Sequence, residues 1–238
     1  MIILDRFIQG PDRCSYLPDR KAILEYEIYS RLSPFEYEAR MNQGWRKFGV
    51  AMFHPLCLGC QECRPIRVSV ETFRPNRSQM RAWARNRGLE VRLGEPQVDD
   101  QRLALFASYH RAQQTRKTWP RHSESKTGYC LSFVFNLIPA LEITLWEGEA
   151  LRGVMLVDLT PHVVSAVYHY YDLSQPRRSF GTYLILQTIE LARQRQRPWV
   201  YLGYYVRGCP SMEYKALYRP CEILTPEGNW VPAETMTR

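Results

Sequence analysis

Three apolar, β-branched and aromatic segments, Leu141 to Glu147, Leu151 to Leu159 and Val163 to Tyr171, follow one another with three residues between each pair. Gaps that short, carrying Gly148 and Pro161, allow antiparallel neighbours and exclude a parallel crossover, which takes a dozen residues or more. An antiparallel meander is therefore expected. Its last strand runs through Asp172 into Pro176-Arg-Arg-Ser-Phe-Gly181, a helix through Arg195 follows, and Trp199 to Val206 reads as a further strand.

Upstream, Lys21 to Tyr29 alternates apolar residues with Glu25 and Glu27 and reads as a strand. Ser33 and Glu36 form a capping box around Pro34, and Gly44 stands where that helix should end. Arg46 to Phe53 and Ile66 to Phe73 read as strands joined by a loop with Cys57, Cys60 and Cys63. Asn76 to Gly88 reads as a helix with Met80, Trp83 and Ala84 on its apolar face. Asp100 to Gln113 is expected as a helix, Thr115 to Thr127 as a loop, and short helices near Cys130 to Leu137 and Ser211 to Tyr218. The expected fold is α+β. A small amino-terminal α/β domain with the cysteine cluster, residues 1–75, precedes a second domain, residues 76–238, built on a mixed, mainly antiparallel sheet with helices; the boundary falls within 75–100.

Of 238 residues 45% are hydrophobic, which excludes disorder as the main state. Lys and Arg number 32 against 24 Asp and Glu, a net +8 that favours an anionic partner, nucleic acid first. Residues 64–92 alone carry eight arginines against Glu71 and Glu90. Among them Arg77, Arg81 and Arg85, at i, i+4 and i+8, make a basic stripe that suits a phosphate backbone or, equally, a solvated helix face. No run approaches the roughly 20 apolar residues of a membrane span, and Met1 to Gly10 carries Asp5 and Arg6, so neither membrane nor export is expected.

Seven cysteines, an odd number, argue against a disulfide framework and for the reducing cytoplasm. Three of them, spaced Cys57-x-x-Cys60-x-x-Cys63, can wrap a soft metal, with Cys14 as a distant fourth ligand and His54 as a weaker substitute. Zinc and an iron–sulfur cluster both satisfy this spacing. Cys130, Cys209 and Cys221 are isolated and expected to be structural.

The turn at Arg177, Arg178, Ser179 and Gly181 opens a helix whose first N–H groups lack partners, so phosphate or carboxylate would be stabilised there; otherwise Gly181 only permits close packing. The order of three strands, an R-x-x-G turn, a helix and a strand resembles the N-acetyltransferase (GNAT) fold. That likeness implies coenzyme A cradled by R/Q-x-x-G-x-G/A. Tyr183 stands at the last position, so a different acyl donor is implied.

Further motifs fall in one order along nearly the whole chain: Cys14-Ser-Tyr-Leu-Pro, Gly44-Trp-Arg-Lys-Phe-Gly, the cysteine cluster, Arg74-Pro-Asn-Arg-Ser-Gln, Val164-Ser-Ala-Val-Tyr168, Tyr170-Tyr-Asp172, Tyr201-Leu-Gly-Tyr204 and Gly208-Cys-Pro-Ser-Met-Glu-Tyr-Lys215. Together they resemble the aminoacyl-tRNA–protein transferases. The chain's size and single cysteine cluster are closer to the bacterial branch, which moves leucine to amino-terminal Asp or Glu and marks proteins for N-degron degradation, than to the arginyl branch. Departures are Arg121-His122, which follows an extra polar stretch, and Phe180 where the family more often has leucine.

The resemblance implies attack of a protein's free α-amine on the ester of aminoacyl-tRNA, without a nucleotide cofactor or covalent enzyme intermediate. It implies aminoacyl-tRNA and acceptors with acidic amino termini as partners, and Asp172, Tyr168 and Tyr214 as catalytic residues. Arg177, Arg178, Ser179, Gly181, Tyr183, Tyr170, Tyr204 and Lys215 would bind substrate, Arg77, Arg81 and Arg85 the tRNA, and Cys14, Cys57, Cys60 and Cys63 a metal. An arginyl donor would need a carboxylate, for which Glu142 is a candidate. A coenzyme A-dependent acetyltransferase and a metal-bearing RNA-binding module are the competing readings.

Overall fold

The computed structural model describes residues 1–117 and 125–235; Arg121 and His122 lie outside these. In chain order the elements are β1 (Ile2–Arg13), β2 (Lys21–Arg31), α1 (Pro34–Asn42), β3 (Arg46–Phe48), β4 (Ala51–Pro55), β5 (Arg64–Ser69), α2 (Arg77–Arg85), β6 (Glu90–Gly94), α3 (Asp100–Lys117), α4 (Lys126–Tyr129), β7 (Ala140–Glu147), β8 (Ala150–Leu159), β9 (Val163–Tyr171), α5 (Phe180–Gln194), β10 (Trp199–Tyr205), α6 (Pro210–Glu213), β11 (Cys221–Leu224) and β12 (Trp230–Pro232). They build two sheets, one of four strands in the order β1-β2-β4-β3 and one of eight in the order β12-β11-β5-β10-β9-β8-β7-β6. The α+β expectation and the β7-β8-β9 meander hold. Only β9 and β10 run parallel in the large sheet, because α5 carries the chain back between them.

Local chemistry explains most boundaries. Ser33 caps α1 through the expected box with Glu36, and Asn76 caps α2 through a second box with Gln79. The stretch 46–53 is not one strand. Gly49, at φ +59°, turns it into the β3–β4 hairpin, and a Cβ there would lie 2.6 Å from the Leu131 carbonyl oxygen. The apolar face expected of α2 is also different: Met80 is exposed, and Gln79, Ala82 and Asn86 face inward. The two amides are buried with their donors satisfied by the carbonyls of Leu217, Ala82 and Arg178. Finally, β5 lies between β10 and β11, so a strand from before residue 75 completes the large sheet.

That sheet is buried on both faces. On one, Leu184, Ile185 and Ile189 of α5 pack with Val68, Val157 and Val200. On the other, Tyr29, Tyr37, Met41 and Trp45 of the amino-terminal layer pack on Val163 and Tyr201, while Phe106, Tyr129 and Phe133 cover Leu156 and Tyr170. Burial of this many large side chains, each stabilising by about 1.5–3 kcal/mol, is what locks the two layers together. No described helix is long and apolar enough to cross a membrane.

Candidate active site at a strand fork

The parallel pairing of β9 with β10 runs from Val163↔Trp199 to Ser165↔Tyr201 and then stops. Both strands are irregular just beyond. The β8–β9 register shifts opposite Leu156 and Val157, leaving Val167 as an extra residue between Ala166 and Tyr168. On β10, Gly203 at φ +82° coincides with a shift against β5 between Tyr201 and Tyr204. Such bulges bend a strand and end its pairing, and here they part the two strands into a fork.

Beyond the fork, two basic side chains donate to carbonyls of β10. The Arg46 Nη2 donates to the Gly203 carbonyl at 3.3 Å, and the Lys215 Nζ donates to the Tyr204 carbonyl at 2.7 Å. A Cβ on Gly203 would lie 3.6 Å from that Nζ, so the glycine also leaves the lysine its room. The Tyr204 hydroxyl donates to the Gly44 carbonyl at 2.7 Å, tying the fork to the loop that delivers Arg46. Burial, and then the Arg46 charge, pull the Lys215 ammonium down to about 7; burial lowers Arg46 as well.

Tyr168 is hydrogen-bonded to His110 Nε2 at 2.8 Å, and Tyr170 to the Tyr129 hydroxyl at 2.6 Å. Tyr214 lies in the core beside Tyr171 and Tyr218. Burial pushes the phenols of Tyr168, Tyr170, Tyr204 and Tyr214 well above their ordinary value, so all four keep their protons at neutral pH.

The turn into α5 is arranged differently. Ser179 adopts the left-handed region (φ 56°, ψ 48°) and its side chain makes no cap hydrogen bond. A Cβ on Gly181 would meet the Tyr171 ring at 2.6 Å, so this glycine admits a tyrosine of the same molecule, which is the close-packing alternative. Arg178 donates to Asn86 at 2.9 Å and to Glu147 at 3.0 Å, and Glu147 also pairs with Arg152. Arg152 in turn holds Asp172 at 2.8 Å, and the Ser174 N–H donates to the same carboxylate. Partial burial would raise Asp172; the bonds from Ser174 and Arg152 outweigh it and hold the carboxyl below the usual range. Arg178 and Asp172 are thus ends of one ion-pair chain. Arg85 donates to the Arg177 carbonyl, while Arg77 and Arg81 are exposed with Arg177. Tyr183 is buried edge-on against Trp83 of α2.

Glu142 is buried and is held from two sides by the Arg102 guanidinium, with a further bond from the Gln97 N–H. Both carboxylate oxygens are thus already engaged.

The four cluster cysteines converge. Cys14, Cys57, Cys60 and Cys63 line one cavity of about 370 Å³, with His54 and Gly44 in the same wall. Their sulfurs, however, are engaged one by one: Leu17 N–H donates to Cys14 at 3.4 Å, Ile23 N–H to Cys57 at 3.4 Å, and Arg20 to Cys60 at 3.1 Å. Burial and then Cys14 push the Cys63 thiol up to about 12. Among the described residues no three His, Cys, Asp or Glu side chains are arranged to hold a metal ion. The shared cavity was legible in the spacing; a ligand set is not present in it.

The family model described as "Arginine-tRNA-protein transferase, N terminus" matches residues 12–81, and "Arginine-tRNA-protein transferase, C terminus" matches residues 101–225. The chain belongs to the aminoacyl-tRNA–protein transferase family. Within it, the chain is 38% identical over 228 residues to an aspartate/glutamate leucyltransferase of Chromohalobacter salexigens, covering 92% of this chain and 89% of that one. It is 35% identical to the protein of the same name from Saccharophagus degradans, covering 92% and 93%, and 31% identical to that from Campylobacter jejuni, covering 90% of each. Among solved structures, the Bacillus licheniformis L-PGS superposes with a TM-score of 0.48 at 11% identity over 86% of this chain and 82% of that one. FemX gives 0.48 at 9% identity over 86% and 80%. As a member of this family the protein is a transferase. Arg46, Tyr171 and His110 were not singled out from the sequence, although Arg46 sits inside the quoted Gly44-Trp-Arg-Lys-Phe-Gly motif.

Proposed function

We propose that this protein transfers leucine from leucyl-tRNA to the free α-amine of proteins beginning with Asp or Glu, and so marks them for degradation through an N-degron pathway in the cytoplasm. The observation that carries the choice of donor is the Glu142–Arg102 pair. An arginyl donor needs an available buried carboxylate, and both oxygens of Glu142 are already held by the chain's own Arg102. What surrounds that pair is aromatic, with Phe106, Tyr129, Phe133 and Tyr170 in one cluster, which suits an apolar side chain. The names of the family relatives support the same donor and acceptors.

The reaction exchanges an ester for an amide, which is downhill. The enzyme must remove a proton from an ammonium of pKa roughly 8, align two reactants and protonate a ribose oxygen. In this reading Asp172, held anionic, receives the acceptor ammonium. Tyr214 or Tyr168, kept protonated by burial, donates to the leaving oxygen. Arg77 and Arg81, exposed on α2, meet the tRNA backbone, with Arg177 beside them.

The test is transfer of radiolabelled leucine and, separately, arginine from charged tRNA to peptides starting with Asp, Glu or Ala. Leucine transfer to Asp and Glu peptides only, abolished by RNase, is expected. Arginine transfer would overturn the donor assignment, and transfer to the Ala peptide the acceptor assignment.

A further inference from the structure

Four lysine and arginine side chains are buried among the described residues: Arg46, Lys47, Arg102 and Lys215. Two have carboxylate partners, Lys47 with Asp158 at 3.2 Å and Arg102 with Glu142 and Asp99. The other two have none. Arg46 donates to the carbonyls of Met41, Trp45 and Gly203, and its Nε has no partner although it is buried. Lys215 donates to the Tyr204 carbonyl and approaches the Met212 sulfur. These are also the two that meet at the fork, on consecutive carbonyls of β10.

An unpaired buried cation costs several kcal/mol, and two that repel one another cost more. Carbonyl dipoles offset part of this, yet neutral donors would serve those carbonyls as well without the penalty. A pair of cations kept without a counter-ion, where the sheet opens, is a site lacking its anion.

We propose that Arg46 and Lys215 form the pocket that takes the side-chain carboxylate of the acceptor's first residue. The inference rests on the reading of the acceptors as proteins with acidic amino termini, and it assigns the groups that recognise them. The aromatic surroundings of Arg46 favour a carboxylate on a short methylene stem. The rings of Tyr204 and Tyr201 flank the Arg46 guanidinium at 5.2 and 5.8 Å, which offers the stem apolar surface. Tyr204 is itself fixed by the Gly44 carbonyl, so the pocket is preorganised before the acceptor arrives.

The experiment is calorimetric titration of the full-length protein, without tRNA, with Glu-Ala-amide and its neutral isostere Gln-Ala-amide at pH 6.5. Tighter binding of the Glu peptide by tenfold or more is expected, and loss of that preference to within twofold in Lys215→Met and in Arg46→Met. Both variants remove a buried unpaired charge, and their folding is followed by thermal unfolding. Equal affinity of the wild type for the two peptides overturns the proposal, a result that needs no variant to fold. So does a preference retained in both variants. Variants that lose affinity for leucyl-tRNA with the Glu preference intact would show that the missing anion is a tRNA phosphate, and would also overturn it. Failure of the transfer reading is separate: no leucine transfer by a wild type that still prefers the Glu peptide sinks the reaction and leaves the pocket standing.

Discussion

Two sets of basic residues lie at the carboxy-terminal ends of β9 and β10, and they differ in what holds their charge. At the turn into α5, Arg178 is matched by Glu147 and Asn86, and Asp172 by Arg152. At the fork, Arg46 and Lys215 donate to backbone carbonyls and have no carboxylate partner. The first set stands out in the sequence because Arg-Arg-Ser-Phe-Gly announces a helix opening. The second is split between the amino-terminal layer and the carboxy-terminal segment, and only folding brings its members together. A conspicuous cation that is already paired, as Arg178 is, does structural work, whereas an inconspicuous unpaired cation is free to bind an anion.

The sharpest way to break this contrast is to unpair a matched charge. Glu142→Gln removes the main partner of Arg102 and leaves a guanidinium buried with only Asp99 beside it, at 45% exposure. Breaking a buried pair of this kind costs about 3–5 kcal/mol. Urea denaturation should report a loss of that size, and arginine should still not be accepted as donor. A stability loss below about 1 kcal/mol would mean that the pairing is not what keeps Glu142 from a substrate.

Removing an unpaired charge should act in the opposite direction. The Lys215 ammonium is pulled to about 7 in the folded protein, with Arg46, Cys209 and Cys63 the charged or titratable groups facing it. Below pH 7 the lysine is protonated in both states and the folded state carries the cost of burying it. Between 7 and the ordinary lysine value the unfolded state binds the extra proton, so wild-type stability rises with pH. At pH 6 to 7 Lys215→Met should therefore be more stable than the wild type by a few kcal/mol, since one pKa unit is worth about 1.4 kcal/mol. The gap should close towards pH 10. A variant less stable at pH 6.5 would show that the lysine has a partner after all.

Gly181→Ala probes the turn at a smaller scale. Its Cβ would meet Tyr171 at 2.6 Å, and forcing such a contact costs about 1–3 kcal/mol. The double variant Gly181→Ala/Tyr171→Leu should recover part of the loss in denaturation experiments. Normal stability with strongly reduced transfer would return the turn to the role of a ligand cradle.

Arg178→Ala comes next. Glu147 is 41% exposed, so solvent screens the pair, and a loss of about 0.5–1 kcal/mol is expected. The preference for acidic over neutral acceptors should survive in Arg178→Ala and fail in Lys215→Met. The reverse pattern would exchange the roles of the two sets.

What the sequence shows is what local chemistry decides. The capping box at Ser33, the three-residue gaps of the meander and the spacing of Cys57, Cys60 and Cys63 each act within a few residues, and each is found in the fold. What it hides depends on distant partners. β1 alternates no apolar face because all of its residues are exposed, so nothing marks Ile2–Arg13 as a strand until β2 pairs with it. The burial of Gln79 and Asn86 on α2 is set by carbonyls of Leu217 and Arg178, more than ninety residues away. The Tyr171 contact that requires Gly181 exists only once β9 and α5 pack. Likewise, no spacing rule announces that Arg46 and Lys215 share consecutive carbonyls.

The α2 stripe supplies the smallest effect and a third kind of charge, solvated and neither paired nor buried. Arg77 and Arg81 project from an exposed face, whereas Arg85 is turned onto the Arg177 carbonyl at 2.6 Å. A phosphate contact from a solvated arginine releases about one counterion, so Arg81→Gln should lower the slope of log K against log salt for leucyl-tRNA by about 1. Acceptor preference should not change, because the stripe lies on a different element from the fork. Arg85→Gln should do more to the turn than to the slope, since its guanidinium already serves a carbonyl. If both variants change the slope equally, Arg85 leaves that carbonyl when tRNA binds. The turn into α5 then joins the tRNA-binding surface, and the boundary between paired and available charge shifts on binding.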